Sequence, residues 1–308
     1  MGKIITVVPN ICEGRDKEFI ENITQKLKNI KNLVLLDVSM DNIRNRTVFS
    51  FTGPKTAIFE GGYILYDEAI KHIDMRKHQG EYPRIGAVDV FPFVPIKGVS
   101  MEEVVEISKE FARTIAGKFN IPVYMFSESA QYSMRKELEN IRSGEYEGLQ
   151  ERLKDPIWRP DFGPVEFKPD FGATIIGARY PLLSFKVLIN TTDIKTIKSI
   201  CRSVQYSYGG LSFVKAFSGI NKNSGLGQIS VSISNFRRMP MYRVLEYIKT
   251  EGKRYGVNIV KVEMIGLIPE IVFLESVLYY MQIQEFSFDR LLENSIQKHL
   301  GEKIFIFE

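Results

Sequence analysis

The chain has 308 residues, of which 44% are hydrophobic and 25% are charged, and its formal net charge is +4. These values are typical of a soluble globular protein with one large domain or two smaller ones. Lysine and arginine never form a run longer than two residues, so the charge gives no indication of nucleic-acid binding. The apolar run before Pro9 is too short for a signal peptide, and no run would span a membrane. We therefore expect a cytoplasmic protein without nucleic-acid or membrane partners.

Cysteine and histidine are scarce in this sequence. Cys12 and Cys201 are far apart, and neither lies in a C-x-x-C or His/Cys cluster. Three histidines, at positions 72, 78 and 299, leave few ligands for a transition metal. We therefore expect neither a bound metal nor a disulfide framework.

The first half of the chain predicts the order β-α-β-β-α-β, followed by further elements. Apolar and β-branched runs predict strands at residues 3–8, 33–38, 46–51, 88–94 and 122–126. Helical periodicity predicts helices at about residues 16–30, 54–73 and 101–119, and short surface helices at 131–141 and 145–153. We expect the strand at 33–38 to be buried and the polar segment 10–15 to be a turn, whereas the polar segment 39–45 fits neither a helical nor a strand period.

Residues 155–172 have neither a helical nor a strand period. The segment holds several chain-breaking residues, namely Pro156, Pro160, Gly163, Pro164, Pro169 and Gly172. Irregular segments of this length are uncommon in compact proteins and are usually functional or act as linkers. We place a domain boundary just beyond it, near Tyr180, which gives two subdomains, 1–180 and 181–308.

The second half shows a similar order with a cleaner pattern. It predicts strands at residues 183–189, 212–218, 228–234 and 258–264, and helices at 193–204, 242–255, 271–281 and 290–299. Thr191 or Thr192 is expected to cap the first of these helices. The order β-α-β-β-α-β is that of a ferredoxin-like unit. The predicted fold class is α/β (α+β), with two layered α/β subdomains whose helices cover one face of each sheet, the second being ferredoxin-like.

A polar loop directly before a predicted strand is the main candidate for a functional site. Segment 74–96 reads DMRKHQGEYPRIGAVDVFPFVPI, in which charged and polar residues stand beside glycine and proline. Such loops at the mouth of a strand commonly form small-molecule sites. Two other polar segments complete the set, namely Asn45-Arg46-Thr47 and the irregular loop from Gly163 to Gly172.

Two arginines of this set, Arg46 and Arg84, are suited to bind a carboxylate through bidentate hydrogen bonds. The alternative is that both are structural and form ion pairs with Asp37, Asp74 or Asp89. The glycine pairs near residues 209 and 226 lack the spacing of a phosphate-binding loop and are better explained as hairpin turns.

Several motifs together resemble the formiminotransferase family. They are VPNICEG from Val8, NRTV from Asn45, DMRKHQGEYPRIGAVDVFPFVPIKGVSMEE from Asp74, IRSGEYEGL from Ile141, PDFGP from Pro160, GATIIGAR from Gly172 and KVEMIGLIP from Lys261. The resemblance extends over almost the whole chain, and so many motifs in register make it specific.

The resemblance implies a folate-dependent glutamate formimidoyltransferase. Such enzymes transfer a formimino group from N-formiminoglutamate to N5 of tetrahydrofolate in histidine degradation. It further implies tetrahydrofolate as co-substrate, no metal, an acidic small-molecule substrate, a folate cleft between the subdomains, and a homodimer. The folate-contacting loop of the family falls on Gly163, Pro164, Val165, Glu166, Phe167, Lys168, Pro169, Asp170, Phe171 and Gly172, and the substrate site is expected to include Asn45 and Arg46.

The catalytic loop implied by the resemblance departs from the family at one position. Tyr82 stands where the family has the histidine proposed as general acid or base, between the preserved His78 and Arg84. An imidazole titrates near ~6.5 and a phenol near ~10, so a phenol is a poor base unless its pKa is shifted.

Four further departures fall on polar positions of the family's cleft. Ser39 stands where the family commonly has an aspartate, and Lys186, Leu188 and Ser232 stand at or near positions of family asparagines. Because Lys186 adds a cation and Ser39 removes an anion, the resemblance predicts a more positive cleft, to which Lys186 contributes a ligand contact.

Three functions remain open at this stage. The first is a formimidoyltransferase in which Tyr82 or His78 takes over proton transfer. The second is a diverged paralogue that binds folate or another anionic ligand without transferring the formimino group. The third is an interaction protein whose C-terminal segment, 286–308, presents an apolar helix face to a partner.

Overall fold

A computed structural model describes residues 3–300 of the chain. The chain divides into two compact units, Met1–Tyr180 and Pro181–Glu308. Residues 301–308, the end of the C-terminal segment considered above, lie outside the described part. Within residues 3–300, no helix combines the length and the apolar character that a membrane span requires.

The first unit is built on a mixed sheet. Its strands are β1 (Ile4–Val7), β2 (Asn10–Ile11), β3 (Val34–Asp41), β4 (Arg46–Gly53), β5 (Val88–Lys97), β6 (Val123–Met125) and β7 (Thr174–Ala178). Its helices are α1 (Lys17–Lys28), α2 (Lys55–His72), α3 (Met101–Phe119), α4 (Leu138–Arg142) and α5 (Leu149–Arg152). The strands from β3 to β5 pair antiparallel, whereas β5, β7 and β6 run parallel.

Strands β1 and β2 occupy one position of this sheet. Both lie between β4 and β5, and the break between them falls at Pro9, which has no N–H for the strand ladder. The predicted turn at residues 10–15 is therefore wrong at its start, where Asn10 and Ile11 continue the sheet. With this pair counted once, the order β3-β4-β1/β2-β5 repeats the strand order of a ferredoxin-like unit.

Side-chain caps begin two helices of this unit. Asp16 caps α1 by accepting a hydrogen bond from the Phe19 amide at 2.9 Å. Ser100 and Glu103 form a capping box at the start of α3. The apolar face of α1 is buried and comprises Phe19, Ile20, Ile23 and Leu27.

Strand β3 lies at the edge of the sheet, which corrects the prediction of a buried strand. Among the described residues it pairs with β4 alone, and Val34 and Leu36 are 56% and 43% exposed. Apolar composition indicated the strand, but its place at the edge depends on pairing. The segment 39–45, which fitted neither period, begins as strand, because β3 continues until Asp41 pairs with Arg46.

Strand β7 was not predicted, and it changes the layering of the first unit. All its residues are buried, as is usual for a parallel strand covered on both faces. Helices α1 to α3 pack on one face, and the segment holding α4 and α5 covers the other. This second cluster comprises Ile85, Val90, Tyr124, Phe126, Ile141, Leu149, Leu153, Ala173 and Ile175. The prediction that helices cover one face of the sheet is therefore wrong for this unit. The surface helices predicted at 131–141 and 145–153 are present but shorter, as α4 and α5.

The second unit confirms the ferredoxin-like prediction. Its strands are β8 (Leu183–Ile189), β9 (Val214–Ile220), β10 (Gly227–Ile233) and β11 (Ile259–Ile265), and its helices are α6 (Ile194–Val204), α7 (Met241–Lys253), α8 (Glu270–Tyr280) and α9 (Leu292–Leu300). The sheet order is β11-β8-β10-β9, and every pair is antiparallel. The cap of α6 is Asp193, which accepts from the amides of Lys195 and Thr196, and not Thr191 or Thr192.

Candidate functional site

The loop between α2 and β5 is held against the β3–β4 turn by glycines. A Cβ atom on Gly80 would lie 2.2 Å from the carbonyl oxygen of Arg44, and one on Gly86 would lie 2.0 Å from that of Ala173. At both positions the backbones approach so closely that a side chain would force them apart. The loop is therefore seated on the β3–β4 turn at one end and beside β7 at the other.

Asn45 joins three segments of the site through hydrogen bonds. Its side chain accepts from the Gly14 amide at 3.0 Å and donates to the Gln79 carbonyl at 3.0 Å. Its own carbonyl oxygen accepts from His78 Nε2 at 2.8 Å. Its φ of 47° lies in the left-handed region, which asparagine tolerates better than most residues. Asn45 thus has a clear role in positioning the site.

His78 is bound through both ring nitrogens. Nε2 donates to the Asn45 carbonyl, so the ring is the Nε2–H tautomer and Nδ1 accepts from Arg84 Nε at 3.3 Å. Burial lowers the pKa of His78, and the Arg84 charge lowers it further, against the hydrogen bond to Asn45. His78 is therefore held neutral, and neither nitrogen is free to take up a proton without breaking one of these contacts.

Arg84 is buried and is bound by two glutamates of the turn between α4 and α5. Its guanidinium makes a bidentate pair with Glu147, at 2.8 and 2.7 Å, and contacts Glu145 Oε2 at 3.0 Å. The hydrogen bonds from Arg84 lower the pKa of Glu147. Glu145 has a φ of 54°, a conformation that costs energy for this residue type.

Tyr82 lies half-buried among three arginines. The guanidinium carbons of Arg46, Arg142 and Arg44 lie 4.0, 5.2 and 5.8 Å from the centroid of its ring. Arg142 Nη1 donates to Tyr82 Oη at 3.4 Å. Burial raises the pKa of the phenol, but the charges of Arg142 and Arg46 outweigh burial, and the pKa lies below its ordinary value.

Two cavities adjoin at this loop. The smaller has a volume of about 10 Å³, the space that one water molecule needs. It is lined by Asn10, Ile11, Cys12, Arg44, Arg46, His78, Tyr82, Arg84 and Asp89. The larger is open to solvent, measures about 580 Å³, and is lined by His78, Gln79, Gly80, Arg84, Gly144, Glu145 and Glu147. His78 and Arg84 border both cavities.

The alternative that Arg46 and Arg84 form ion pairs with Asp37, Asp74 or Asp89 is wrong. Arg84 binds Glu145 and Glu147, while Asp89 binds Arg142 and Asp74 binds Arg76. Arg46 makes no ion pair with any carboxylate within residues 3–300. Arg46 is thus a half-buried cation at the site without a carboxylate partner in this part of the structure.

The predicted folate loop, 163–172, extends over two places in the first unit. Gly163, with φ +86°, lies against the Ile121 carbonyl near β6. The far end lies near the site: Phe167 packs on the Tyr146 ring at 5.6 Å between centroids, and the Tyr146 hydroxyl donates to the Pro169 carbonyl. Phe171 and Gly172 are buried, whereas the middle of the loop is partly or fully exposed.

Lys186 belongs to the second unit. It lies on β8 between Phe185 and Val187, which are core residues, so it points to the opposite face of that sheet. It stands opposite Glu263 of β11 in the strand register. Glu263 therefore offsets part of the positive charge that Lys186 adds.

Four charged residues of the site were not predicted as such. Arg142, Glu145 and Glu147 come from the IRSGEYEGL motif, and Asp89 was considered only as a partner of Arg46 or Arg84. The motif itself carried a signal, since charged residues between Gly144 and Gly148 indicate a structured turn. The helix predicted at 145–153 obscured that signal, because α5 begins only at Leu149. Within residues 3–300, no group of three or more histidine, cysteine, aspartate or glutamate side chains is arranged to hold a metal ion.

Comparison with known proteins gives the class to which this fold and site belong. The N-terminal subdomain of the formiminotransferase domain matches residues 4–179, and the formiminotransferase domain matches residues 191–301. These matches span most of the chain, which therefore belongs to the formiminotransferase family.

Individual relatives cover nearly the whole chain. Glutamate formimidoyltransferase of Streptococcus pyogenes serotype M1 is 38% identical over 297 residues, which is 96% of this chain and 99% of that protein. The protein of the same name from Thermoplasma acidophilum is 36% identical, over 96% of this chain and 98% of that protein. The formimidoyltransferase-cyclodeaminase of Rattus norvegicus is 36% identical over 91% of this chain, which corresponds to 53% of that longer protein.

Proposed function

We propose that the protein is a glutamate formimidoyltransferase that transfers the formimino group of N-formiminoglutamate to N5 of tetrahydrofolate. The observation that carries the proposal is the convergence of family motifs around Tyr82. Asn10 and Cys12 of the first motif, Arg46 of the second and His78 and Arg84 of the third line one cavity with it. Two proteins named glutamate formimidoyltransferase match 96% of this chain.

Binding of the substrate carboxylate is assigned to Arg46. Its guanidinium has no carboxylate partner within residues 3–300 and borders the small cavity, so a bidentate bond to a substrate carboxylate would compensate its charge. Asn45, His78 and Arg84 position the loop around it. The loop from Gly163 to Gly172 and Lys186 of the second unit are proposed to contact the folate.

Proton transfer is assigned to Tyr82. N5 of tetrahydrofolate attacks the formimino carbon, which forms an N–C bond and leaves the N5 proton to be removed by the Tyr82 phenolate. The resulting phenol then protonates the glutamate nitrogen as its bond to the same carbon breaks, which restores the phenolate. Products are 5-formiminotetrahydrofolate and glutamate, and the side chain ends in its starting state.

The co-substrate, the metal requirement, the pathway and the compartment follow from the same proposal. Tetrahydrofolate is a co-substrate, no metal takes part, and the reaction belongs to histidine degradation in the cytoplasm. We also propose that the protein is a homodimer.

A steady-state assay with N-formiminoglutamate and tetrahydrofolate tests the proposed function, with calorimetric titration of tetrahydrofolate in parallel. We expect saturable transfer that depends on both substrates. Binding of tetrahydrofolate without any transfer above the buffer rate would refute it.

Tyr82 also supports a second candidate, a folate or anion binder without transferase activity. If the phenol does not replace the family histidine, the positive groups around it still suit an anionic ligand. Thermal-shift titrations with tetrahydrofolate, formyltetrahydrofolate and nucleotide phosphates separate the two functions. This second function requires tight binding of one of them together with no turnover, whereas measurable transfer by the unaltered protein excludes it.

A further inference from the structure

The oxygen of Tyr82 accepts a hydrogen bond from one arginine, and a second arginine lies over the ring. Arg142 Nη1 donates to the oxygen at 3.4 Å, and the guanidinium carbon of Arg46 lies 4.0 Å from the centroid of the Tyr82 ring. An arginine side chain has five N–H donors and no acceptor. Within residues 3–300, no hydrogen bond has the Tyr82 hydroxyl as its donor. This arrangement suits an oxygen that accepts hydrogen bonds and carries negative charge.

Arg142 is fixed in place by a buried ion pair. Its Nη2 donates to Asp89 Oδ2, and both side chains are almost fully excluded from solvent, at 8% and 4% exposure. Asp89 is itself held, since its other carboxylate oxygen accepts from the Ile85 amide at 3.0 Å. Asp89 therefore binds the far side of the guanidinium, while the near side is turned toward Tyr82.

The two remaining arginines differ in how strongly they act on the ring. Arg46 is half-buried, lies closest to the ring, and has no carboxylate partner among the described residues. Arg44 is the most distant and pairs with Asp41 at 3.3 Å, with half of its side chain in solvent. Solvent and this carboxylate screen most of the Arg44 charge.

Other charged or titratable groups face Tyr82 from the neighbouring segments. They are Asp89 on β5, Cys12 after β2, and His78 and Arg84 on the same loop. Burial raises the pKa of the Cys12 thiol, so Cys12 stays neutral, as does His78. Asp89 opposes ionisation of Tyr82, but its carboxylate is bound to Arg142. Positive charge therefore dominates around the phenol.

We propose that Arg142, held by Asp89, is a positioning residue that keeps the Tyr82 oxygen as an acceptor and so enables a tyrosine to do the work of the family histidine. The inference rests on the role given to Tyr82 above. Its direct test requires no turnover, so the two proposals can fail separately.

The test is an ultraviolet titration of tyrosinate formation. Subtracting the Tyr82→Phe titration from that of the unaltered protein isolates Tyr82. We expect its midpoint below the ordinary value near ~10. Arg142→Gln should raise the midpoint by about 1–3 pH units, the range for removal of a close opposite charge. Arg142→Lys should restore part of the shift, since it keeps the charge.

Two further variants keep the test decisive. Arg44→Gln is the matched control, because it removes a screened arginine from the same ring, and it should move the midpoint far less than Arg142→Gln. If Arg142→Gln does not fold, because Asp89 is left buried and unpaired, the double variant Arg142→Gln/Asp89→Asn removes both charges together. It should still raise the midpoint, because the donor to the Tyr82 oxygen is lost.

Each outcome decides the proposal. A Tyr82 midpoint at the ordinary value in the unaltered protein, or one that Arg142→Gln and Arg44→Gln change equally, would overturn it. A lowered midpoint that depends on Arg142 in a protein without transferase activity would uphold the inference about Arg142 and refute the proposed function.

Discussion

At the scale of single residues, Arg46 and His78 both line the small cavity beside Tyr82 but differ in their availability to a ligand. Arg46 is a charge without a partner in the described part of the chain, whereas His78 already uses both nitrogens in protein contacts. The first is available to a ligand and the second is committed to the scaffold. Substitution at each position should therefore change different kinetic constants.

Replacing Arg46 should mainly weaken substrate binding. Arg46→Gln removes a charged hydrogen-bond donor worth about 1.5–3 kcal/mol, so KM for N-formiminoglutamate should rise by roughly 10- to 100-fold. Steady-state kinetics measure this, with Arg44→Gln as the control, since Arg44 is exposed and paired with Asp41. Equal KM values for the two variants would contradict the assignment of Arg46.

Replacing His78 should affect stability more than chemistry. Glutamine at this position keeps a donor for the Asn45 carbonyl, but its acceptor lies beside that donor and does not reach Arg84 as the opposite ring nitrogen does. We expect His78→Gln to lower the free energy of unfolding by about 0.5–1.5 kcal/mol and kcat by less than roughly tenfold. A general base would cost about 10²–10⁴ in rate, so a loss of that size would mean that His78, and not Tyr82, carries the proton. His72→Gln, remote from the cavities and stacked on Phe19, controls for the loss of an imidazole.

At the scale of elements, the site is built from loops whose attachment depends on a few polar anchors. The irregular segment after α5 is tied to β6 by Arg135 and Asp161, whose side chains are both 1% exposed and meet at 2.7 Å. Arg135 also donates to the carbonyls of Ile157 and Arg159, and Asp161 accepts from the Met125 amide. One buried pair thus organises a segment that has no regular structure of its own.

Breaking this pair should be costly. Arg135→Met leaves Asp161 buried without its partner, and removing one member of such a pair typically costs about 3–5 kcal/mol. The exposed pair of Lys154 and Glu151 provides the control, since Lys154→Met should cost no more than about 1 kcal/mol. Urea unfolding measures both. Similar costs for the two variants would show that the buried pair does not anchor the segment.

The loop that carries Tyr82 begins at a carboxylate whose titration should be visible in acid. Hydrogen bonds from Arg76 lower the pKa of Asp74 to about 2, whereas an aspartate in the unfolded chain titrates near ~3.9. The folded state therefore favours the ionised form, and its contribution is present above pH ~4 and lost as the pH falls toward ~2.

Asp74→Asn should flatten this part of the stability profile. The variant should be less stable than the unaltered protein at neutral pH, and the difference in melting temperature should shrink between pH ~4 and ~2. Thermal unfolding across this range measures it, with Glu285→Gln as a control for removal of an exposed carboxylate in the second unit. A difference that stays constant with pH would contradict the role of Asp74.

Sequence patterns predicted the helices of the first unit better than some of its strands, and the reason is physical. Helices α1 and α3 were predicted closely because their caps and apolar periods are local in sequence. Strand β7 was missed, because GATIIGA is short, rich in glycine and alanine, and follows an irregular segment. The exposure of β3 was also missed, since a strand's position in the sheet depends on partners distant in sequence.

The same distinction applies to the site. His78, Tyr82 and Arg84 lie within one loop and were grouped from sequence, and the NRTV segment was placed with them. Arg142 contacts Asp89 and Tyr82 across more than fifty positions of sequence. Its helix is too short to show a period, so no local pattern indicated that contact. Contacts between charged residues that are distant in sequence are the part of the site that a single sequence does not predict.

At the scale of the whole molecule, the two units share one strand order and differ in what was added to it. Both use the βαββαβ arrangement, and the first extends it with α3, β6, β7 and the covering segment. That extension supplies Arg142, Glu145 and Glu147, which complete the environment of Tyr82 and Arg84. The site thus lies on the ferredoxin-like part of the first unit and is covered by the segment that holds α4 and α5.

The measurement closest to the central claim is the pH dependence of kcat/KM for formimino transfer by the unaltered protein, Tyr82→Phe and Tyr82→His. A phenolate base is active above its pKa, so the rate of the unaltered protein should rise with pH and level off below the ordinary tyrosine range. Tyr82→Phe should lose this rise and about 10²–10⁴ in rate. Transfer by Tyr82→His alone, with tetrahydrofolate bound equally by all three proteins, would contradict the claim and show that the family base has been lost without replacement.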